Sequence, residues 1–421
     1  MPFSGPPIQF LGFYGPFFYE NLHLPVSCPG GTPSQGFCMS ARPRPETSGA
    51  AEHRIAAIEV TQHRLKLPTP FRASWDTKPR VSFDATIVRV TTDTGLVGVA
   101  SGDLMVGFAG HEHLFIGQDP LLLERHYRVL SHIDFHYGRC WPLDLALWDL
   151  AGKITGQPCW KLLGGLARRV RAYASSGTLR DPGEMAECAE RMLEQGFAAL
   201  KLRFHRGDWR DDIRALEAVR ERIGNRLELM VDCNQGWRLP WDTAAPWTMK
   251  DALTVARELE RVGVYWMEEP LHRADRAGMK ALRQATDVRI AGGEMTRELQ
   301  EFRDLIVEGC LDVLQPDAAL VGGITGLRRV AAMAGEHNIT FTPHTWTNGM
   351  GVTANAHLTA GLCDAPFLEF PYDPPEWSLD RRDFMMAAPL NVGRDGWIDL
   401  GDAPGLGYAL DEAALIRTRI G

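Results

Sequence analysis

Ionisable side chains stand at the C-terminal ends of consecutive apolar segments in the second half of the chain. Taken in order, they are Lys201 and Arg203, then Asp232, Glu268, Glu294, Asp317, His344 and Glu369. Strands of a parallel sheet are buried on both faces and read as almost continuous apolar sequence. A packed core therefore does not explain charged residues at seven successive segment ends, and we interpret them as a catalytic site.

Three of these residues, Asp232, Glu268 and Glu294, are carboxylates that end neighbouring segments. Three anions held together at low dielectric repel each other strongly, and a hard divalent cation relieves that repulsion. Ligand sets made only of oxygen favour Mg²⁺ over Zn²⁺. Each carboxylate alone would be interpreted as a helix cap or an ion-pair partner. The three together predict one Mg²⁺ per subunit.

His344 is the residue best suited to accept a proton, because the pKa of histidine lies near neutrality. Asp317 ends the neighbouring segment and is expected to hold the other ring nitrogen, which fixes the tautomer and raises the basicity. A proton beside a carboxylate is very weakly acidic, because its removal adds a second negative charge to the group. Such chemistry needs a base and a metal ion together.

Eight short apolar segments separated by amphipathic patterns carry these residues, which predicts an α/β fold with a closed barrel whose site lies at the C-terminal strand ends. The predicted strands are RVRAYAS (169–175), AALKLRF (198–204), LELMVD (227–232), VYWME (264–268), VRIAGG (288–293), LDVLQP (311–316), ITFTP (339–343) and PFLEF (366–370). Upstream, the alternating stretches RIAAIEVTQHRLK, FDATIVRVT and GLVGVAS predict a small antiparallel sheet. Two helical patterns, from Asp119 and Pro142, complete an α+β domain.

Four regions follow from these patterns. They are a Pro- and Gly-rich extension over 1–53, an α+β capping domain over 54–165, the barrel over 166–380, and a C-terminal segment over 381–421 that contains WIDL and PGLGYALDE. We expect the last segment to return to the capping domain. For the extension two interpretations stay open: a disordered or loosely docked segment, or sequence upstream of a true start at Met39.

Composition restricts the partners of the chain. The net charge of −8 and the short basic runs argue against a nucleic-acid surface. No apolar run reaches the roughly 18 residues of a membrane helix. Eight cysteines without a CxxC pair resemble buried free thiols and indicate a reducing cytoplasm. We expect a small molecule as substrate, no nucleic-acid or membrane partner, and a homo-oligomer.

Motifs at the same segment ends resemble those of the mandelate racemase group of the enolase superfamily, in the order of that family. They are VDCN (231–234), WMEEP (266–270), AGGE (291–294), QPDAALVGGITG from Gln315 and PHTW from Pro343. The stretch DLALWDLAGKITGQPCWKLLGG from Asp144 is also similar to the group's segment that joins its two domains. The resemblance covers roughly residues 54–410 and implies a modified (β/α)₇β TIM barrel under an N-terminal α+β capping domain.

The resemblance also implies roles for individual residues. Asp232, Glu268 and Glu294 correspond to the metal ligands, the His344/Asp317 pair to a base, and Glu369 to a residue that is hydrogen-bonded to the substrate carboxylate. The resemblance implies a hydroxy or sugar acid as substrate and, as reaction, removal of the proton next to its carboxylate to give an enolate. A binding protein that has kept the fold and lost catalysis is an alternative from another class.

The second strand departs from the family pattern. The group often carries KxK there, with the second lysine as a base on the opposite face of the substrate, whereas this chain has Lys201-Leu202-Arg203. Arginine is always protonated, so Arg203 is a poor base and a good electrostatic clamp. One base suffices for dehydration of an acid sugar, whereas racemisation needs two. We therefore expect a dehydratase, with racemisation, epimerisation or lactone cycloisomerisation as alternatives and His205 as an unorthodox second base.

Loops outside the barrel strands are expected to set specificity. Arg72 and Trp75 lie in FRASWDTKPR, where the family's capping domain closes over substrate, and GDLMVGFAGHE from Gly102 is the partner loop. Asn234, two residues past a metal ligand, is a further candidate for substrate binding. Trp237, Trp241 and Trp247 either line the site or pack the capping domain. The HEH sequence at 111–113 is interpreted as a solvated loop, not as a metal site.

Overall fold

Two sheets organise the chain, and apolar alternation along the sequence determines both. The computed structural model describes residues 53–102, 105–237 and 245–420. The expectations for the N-terminal extension, for Trp241 and for part of the GDLMVGFAGHE loop concern residues outside these ranges, and they stay predictions.

The first sheet is antiparallel and is built from β1 (Ile55–Phe71), β2 (Arg80–Thr92) and β3 (Val97–Gly102). Two helices follow, α1 (Leu123–His136) and α2 (Pro142–Thr155). Gly156 ends α2 in the left-handed conformation, with φ +65°, which glycine adopts without a steric cost. The α+β domain predicted from the sequence is confirmed.

After α3 (Cys159–Leu162), the chain forms seven strand–helix units and an eighth strand. The eight strands make the parallel part of the second sheet, which is the barrel. The strands are β4 (Arg169–Ser175), β5 (Ala199–Arg203), β6 (Glu228–Asp232), β7 (Val264–Glu268), β8 (Arg289–Gly292), β9 (Val313–Leu314), β10 (Thr340–Phe341) and β11 (Leu368–Pro371). The helices are α4 (Pro182–Glu194), α5 (Trp209–Ile223), α6 (Met249–Val262), α7 (Arg276–Ala285), α8 (Leu299–Val307), α9 (Gly323–Glu336) and α10 (Gly349–Leu362). Because β11 pairs with β4, the last strand lies beside the first, as the modified (β/α)₇β barrel requires.

An apolar layer fills the barrel below the strand ends. It comprises Tyr173, Ala199, Met230, Trp266, Ala291, Val313 and Phe367, all buried. Side chains alternate along a strand, so residues two positions further on face the same interior. Ser175, Lys201, Asp232, Glu268, Gln315 and Glu369 stand at those positions. The polar residues therefore lie directly above an apolar layer that excludes water from beneath them.

The C-terminal segment contacts both domains. We expected WIDL to pack on the capping domain, but β12 (Trp397–Asp399) pairs antiparallel with the barrel strand β4. The helix α11 (Leu379–Arg382) precedes β12, and α12 (Glu412–Thr418) follows it and leads to β13 (Arg419–Ile420). That last strand pairs with β1 of the first sheet. The PGLGYALDE stretch contacts the capping domain as well, because the Leu406 N–H donates to Asp149 of α2 and the Tyr408 hydroxyl donates to the Val99 carbonyl of β3, both at 2.8 Å.

Hydrogen bonds between side chains join the capping domain to the barrel. Asn348 Nδ2, at the start of α10, donates to Ser101 Oγ of β3 at 2.7 Å. Trp148 Nε1 of α2 donates to Thr325 Oγ1 of α9 at 2.8 Å. Both contacts are buried, which fixes the small sheet relative to the barrel mouth.

Within the described ranges, no helix has the length and apolar character needed to cross a membrane. The six cysteines in those ranges are free thiols, five of them buried.

Candidate active site

Three carboxylates converge at the mouth of the barrel. One oxygen each from Asp232, Glu268 and Glu294 lies within 4.8 Å of the other two, and all three residues are buried. Burial and the neighbouring anions raise the pKa of Glu268 to about 8, against the opposing effect of Lys201. The pKa of Glu294 is also raised, chiefly by burial. The cluster is short of positive charge and can hold a metal ion.

Lys201 lies beneath this cluster and is completely buried. Its Nζ is 2.8 Å from Glu268 Oε1, 2.7 Å from Glu369 Oε1 and 3.5 Å from Asp232 Oδ2. Burial alone would lower the pKa of Lys201, but Glu268 and Glu369 raise it above its usual value. Lys201 is therefore a fixed cation and not a proton acceptor.

Glu369 holds Lys201 in place. Its Oε1 accepts a hydrogen bond from Ser175 Oγ at 2.7 Å, and its Oε2 accepts the Thr345 backbone N–H at 2.7 Å. Burial favours the neutral carboxyl, yet Lys201 and His344 hold the pKa of Glu369 at about 2. We expected Glu369 to bind the substrate carboxylate. In the structure both of its oxygens accept hydrogen bonds from groups of the protein, and its contact with the substrate carboxylate stays a prediction.

Arg203 is held by three different groups. Nε donates to the Ser176 carbonyl at 2.7 Å, Nη2 donates to Ser175 Oγ at 3.3 Å, and Nη1 forms an ion pair with Asp232. The guanidinium lies over the rings of Trp75 and Trp346, 4.5 and 5.5 Å from their centroids. A cation on an aromatic face keeps its charge in a largely desolvated place. Arg203 thus offers fixed positive charge beside the carboxylate cluster.

His344 and Asp317 form a pair on the opposite part of the mouth. His344 Nδ1 donates to Asp317 Oδ2 at 3.1 Å, while Nε2 lies 3.4 Å from Glu294 Oε2. Asp317 Oδ1 accepts from the Ala319 N–H and from Asn355 Nδ2, both at 2.9 Å. Burial lowers the pKa of His344, but Glu294, Glu369 and Asp317 together raise it to about 10. These carboxylates therefore stabilise the protonated form of His344, and a cation bound to Glu294 would oppose this effect and favour the neutral form that accepts a proton.

A cavity of about 160 Å³ opens onto these groups. This is below the roughly 300 to 1,000 Å³ typical of sites for drug-sized ligands, so the cavity suits a small molecule. Its polar lining residues are Arg80, Arg203, Asn234, Glu294 and His344. Its apolar lining residues are Trp75, Phe83, Trp237, Met295, Leu320 and Trp346.

Asn234 lies at this cavity in a strained conformation. Its φ is +48°, its N–H donates to Asp232 Oδ1 at 2.9 Å, and the side chain is buried. Its Oδ1 has no hydrogen-bond partner among the described residues. A buried amide oxygen without a partner is costly unless a ligand supplies a donor. The position of Asn234 is thus compatible with substrate binding.

Two residues predicted from the sequence lie elsewhere. Arg72 is exposed and lines a separate cavity of about 540 Å³. His205 lies beyond the end of β5, where the alternation of the strand no longer applies, and lines a third cavity of about 290 Å³ together with Trp247. The structure therefore does not bring Arg72 or His205 to the mouth where His344 and the carboxylates meet.

Sequence reasoning did not assign roles to Ser175, Gln315, Arg80 and Trp346. Ser175 ends the first barrel strand and is not ionisable, and Gln315 Nε2 donates to Glu268 Oε2 at 2.8 Å. Both follow an inward-facing apolar residue by two positions, and this spacing was the available signal. In the HEH sequence, His111 precedes a short 3₁₀ helix (Glu112–Leu114), and none of its residues belongs to the one group of potential metal ligands found in the described residues.

Comparison with known proteins agrees with this geometry. A sequence model described as "Enolase C-terminal domain-like" matches residues 184–414. A second model, "Mandelate racemase / muconate lactonizing enzyme, N-terminal domain", matches residues 55–164. The first match covers the barrel from residue 184 onward, and the second covers the capping domain.

Individual relatives are similar over most of their length. The chain is 32% identical to a 3,6-anhydro-alpha-L-galactonate cycloisomerase of Streptomyces coelicolor, over 87% of this chain and 100% of that protein. It is 32% identical to an L-talarate/galactarate dehydratase of Salmonella typhimurium, over 72% of this chain and 73% of that protein.

Among solved structures, a racemase from Streptomyces coelicolor with bound magnesium superposes with a TM-score of 0.74. It is 28% identical, and the match covers 87% of this chain and 100% of that one. The barrel, the capping domain and the carboxylate cluster, together with these matches, assign the chain to a family. It belongs to the mandelate racemase / muconate lactonizing enzyme group of the enolase superfamily.

Proposed function

We propose that the chain is an Mg²⁺-dependent dehydratase of acid sugars. In this reaction the proton on the carbon next to the carboxylate is removed and the hydroxyl on the following carbon leaves as water. The resulting enol converts to a 2-keto-3-deoxy acid. The observation that carries the proposal is the pairing of His344 with Asp317 on one part of the mouth, with Arg203 as a fixed cation where a second base would be needed.

Asp232, Glu268 and Glu294 would hold the Mg²⁺. All three are buried, and they offer only oxygen atoms as ligands. Burial and the repulsion between the carboxylates raise the pKa of Glu268. When bound, Mg²⁺ supplies positive charge that stabilises the negative charge developing on the substrate carboxylate. Lys201 and Arg203 add fixed positive charge at the same place, and Glu369 keeps Lys201 oriented toward it.

His344 would do both proton transfers. Its Nε2 accepts the proton from the α-carbon, while Asp317 holds Nδ1–H and stabilises the imidazolium that forms. The same histidine then gives its proton to the departing hydroxyl, so water leaves and the histidine is neutral again. One residue thus acts first as base and then as acid, which a dehydration on one face of the substrate requires.

Racemisation is less well supported, because it needs proton transfer on both faces. Arg203 contacts Asp232, Ser175 and Ser176 and lies over two indole rings, so it is placed as a cation and not as an acceptor. His205, the other candidate for a second base, lines a different cavity.

Lactone or anhydro-sugar cycloisomerisation is the second candidate. It starts with the same proton removal and also needs one base. The full-length similarity to a cycloisomerase, over 100% of that protein, favours it.

A product assay separates the candidates. The purified chain with Mg²⁺ is incubated with a panel of linear acid sugars and with their lactones and anhydro forms, and products are followed by ¹H NMR in D₂O. Formation of 2-keto-3-deoxy acids from linear acids supports the proposal. Ring-opened or rearranged products without loss of water support cycloisomerisation. Deuterium at the α-carbon of recovered substrate, without loss of water, supports a racemase and contradicts the dehydratase.

A further inference from the structure

Arg80 is a basic residue of the capping domain that faces the active-site cavity. It is the first residue of β2, and 36% of its side chain is exposed. The side chains of Arg203 and His344, which line the same cavity, are only 3% and 9% exposed. Arg80 therefore lies at the outer end of the cavity, and the carboxylate cluster lies at the inner end.

Asp76 fixes the orientation of the Arg80 side chain. Nε and Nη2 of Arg80 both pair with the carboxylate of Asp76, the second at 3.3 Å from Oδ1. Asp76 itself does not line the cavity, whereas Arg80 does. Within the described ranges, Nη1 of Arg80 forms no hydrogen bond. The Asp76 carboxylate thus fixes the guanidinium through Nε and Nη2, and Nη1 can still donate two hydrogen bonds.

Trp75 connects the two ends of the cavity. Its ring lies 5.9 Å from the guanidinium carbon of Arg80 and 4.5 Å from that of Arg203. Two cations therefore contact one indole ring, one at the buried end and one at the open end. The wall beside Arg80 includes Phe83, and apolar surroundings strengthen the attraction between a guanidinium and an anion.

We propose that Arg80 binds a second carboxylate at the end of the substrate remote from the reacting centre, so that the substrate is a dicarboxylic hydroxy acid. This inference rests on the proposed function and narrows its substrate class. A planar guanidinium with free N–H groups matches the two oxygens of a carboxylate, and such charge-assisted bonds are stronger than a bond to a neutral hydroxyl. Asp76 orients the donors before the substrate arrives.

Binding to a variant with strongly reduced turnover tests the inference. His344→Asn, with Mg²⁺, is titrated calorimetrically with two matched pairs that differ only at the terminal carbon: galactarate with galactonate, and glucarate with gluconate. In at least one pair the diacid is expected to bind about 10- to 100-fold more tightly, the range that one hydrogen bond to a charged group contributes. Adding Arg80→Gln should remove this preference, and Arg80→Lys should keep part of it.

Arg64→Gln is the matched control, because Arg64 pairs with Asp84 through Nε and Nη2 in the same sheet and does not line the cavity. It should leave the preference unchanged. Circular dichroism of each variant verifies folding. Equal binding of diacid and monoacid in both pairs, no binding of either diacid, or an unchanged preference in Arg80→Gln would overturn the inference.

The dehydratase proposal and the inference about Arg80 can fail independently of each other. A 2-keto-3-deoxy product from monoacids alone would keep the dehydratase and overturn the inference. A diacid preference that depends on Arg80, without loss of water from the bound acid in the wild-type chain, would keep the inference and overturn the dehydratase.

Discussion

His344 Nδ1 donates a hydrogen bond to Asp317 Oδ2 at 3.1 Å, and the other oxygen of Asp317 is occupied by the Ala319 N–H and by Asn355. The carboxylate therefore has one orientation, and it fixes the tautomer of the histidine. Because Nδ1 is committed to this bond, Nε2 is the ring nitrogen that can exchange a proton with substrate.

The first prediction concerns this pair. His344→Asn should lower kcat/KM for the preferred acid by about 10²- to 10⁴-fold, the usual contribution of a general base. Asp317→Asn should also lower it, because an amide no longer selects the tautomer or stabilises the imidazolium. Product formation is measured with saturating Mg²⁺. His337→Asn, at an exposed histidine at the end of α9, is the control and should be fully active. Wild-type activity in His344→Asn would contradict the assigned base.

The second prediction concerns metal removal. Treatment with EDTA should abolish activity, and Mg²⁺ should restore it, because Asp232, Glu268 and Glu294 are short of positive charge without a cation. A ligand at 100 times its dissociation constant stabilises the folded state by about 2.7 kcal/mol. Mg²⁺ should therefore also raise the melting temperature, which is a readout independent of turnover.

Asp232→Asn should lose both the activity and the Mg²⁺-dependent rise in melting temperature. Glu336→Gln, an exposed carboxylate at the end of α9, should retain both. A melting temperature that Mg²⁺ raises equally in wild type and in Asp232→Asn would place the metal elsewhere.

The third prediction tests Arg203 as an electrostatic clamp. Arg203→Lys keeps the charge, but its ammonium cannot contact Ser175, Ser176 and Asp232 at the same time as the guanidinium does. An ammonium also stacks less well over Trp75. kcat/KM should fall by about 10-fold or more, on the scale of one charge-assisted hydrogen bond.

Arg289→Lys is the control for that substitution, because Arg289 lies over the Tyr265 ring at 4.2 Å and is exposed. It should leave kcat/KM unchanged. If Arg203→Lys were as active as the wild type, the fork geometry of the guanidinium would have no role in the reaction.

The sequence predicted those features that depend on local periodicity. Arg169–Ser175 and Val264–Glu268 begin and end where the apolar segments predicted, and the residue two positions after each inward-facing residue of the apolar layer is polar except in β8, where it is Gly293. Alternation along a strand is a local property. The sequence alone therefore predicted that Lys201 and Glu369 lie beside the carboxylate cluster, and their ion pair in the structure agrees with this.

Features that depend on chain paths in space were not predictable. Arg72 and Arg80 lie in the same stretch of the capping domain, but only Arg80 reaches the cavity. The route of that stretch is set by non-local contacts such as the hydrogen bond from the Ser74 N–H to the Gly177 carbonyl at 2.8 Å. The pairing of Trp397–Asp399 with β4 likewise joins segments that are more than 200 residues apart.

The fourth prediction concerns pH and stability. His357 is completely buried in α10; its Nδ1 accepts the Trp160 N–H at 3.0 Å, and its Nε2 donates to the Leu406 carbonyl at 3.2 Å. Burial lowers the pKa of His357 to about 4, although the bond to Leu406 opposes this. The unfolded chain binds the proton near pH 6.5. Stability from this residue is therefore complete above pH 6.5 and is lost as the pH falls toward 4.

The loss should reach about 3 kcal/mol, since one pKa unit corresponds to 1.36 kcal/mol. The free energy of unfolding is measured in urea between pH 7.5 and 4.5. Other buried groups titrate in this range, so the test is the difference between wild type and His357→Gln. Glutamine can accept from Trp160 and donate to Leu406 without taking a proton. The variant should lose less stability than the wild type on acidification, whereas His337→Gln should follow the wild type. Parallel curves for wild type and His357→Gln would show that His357 does not charge on unfolding.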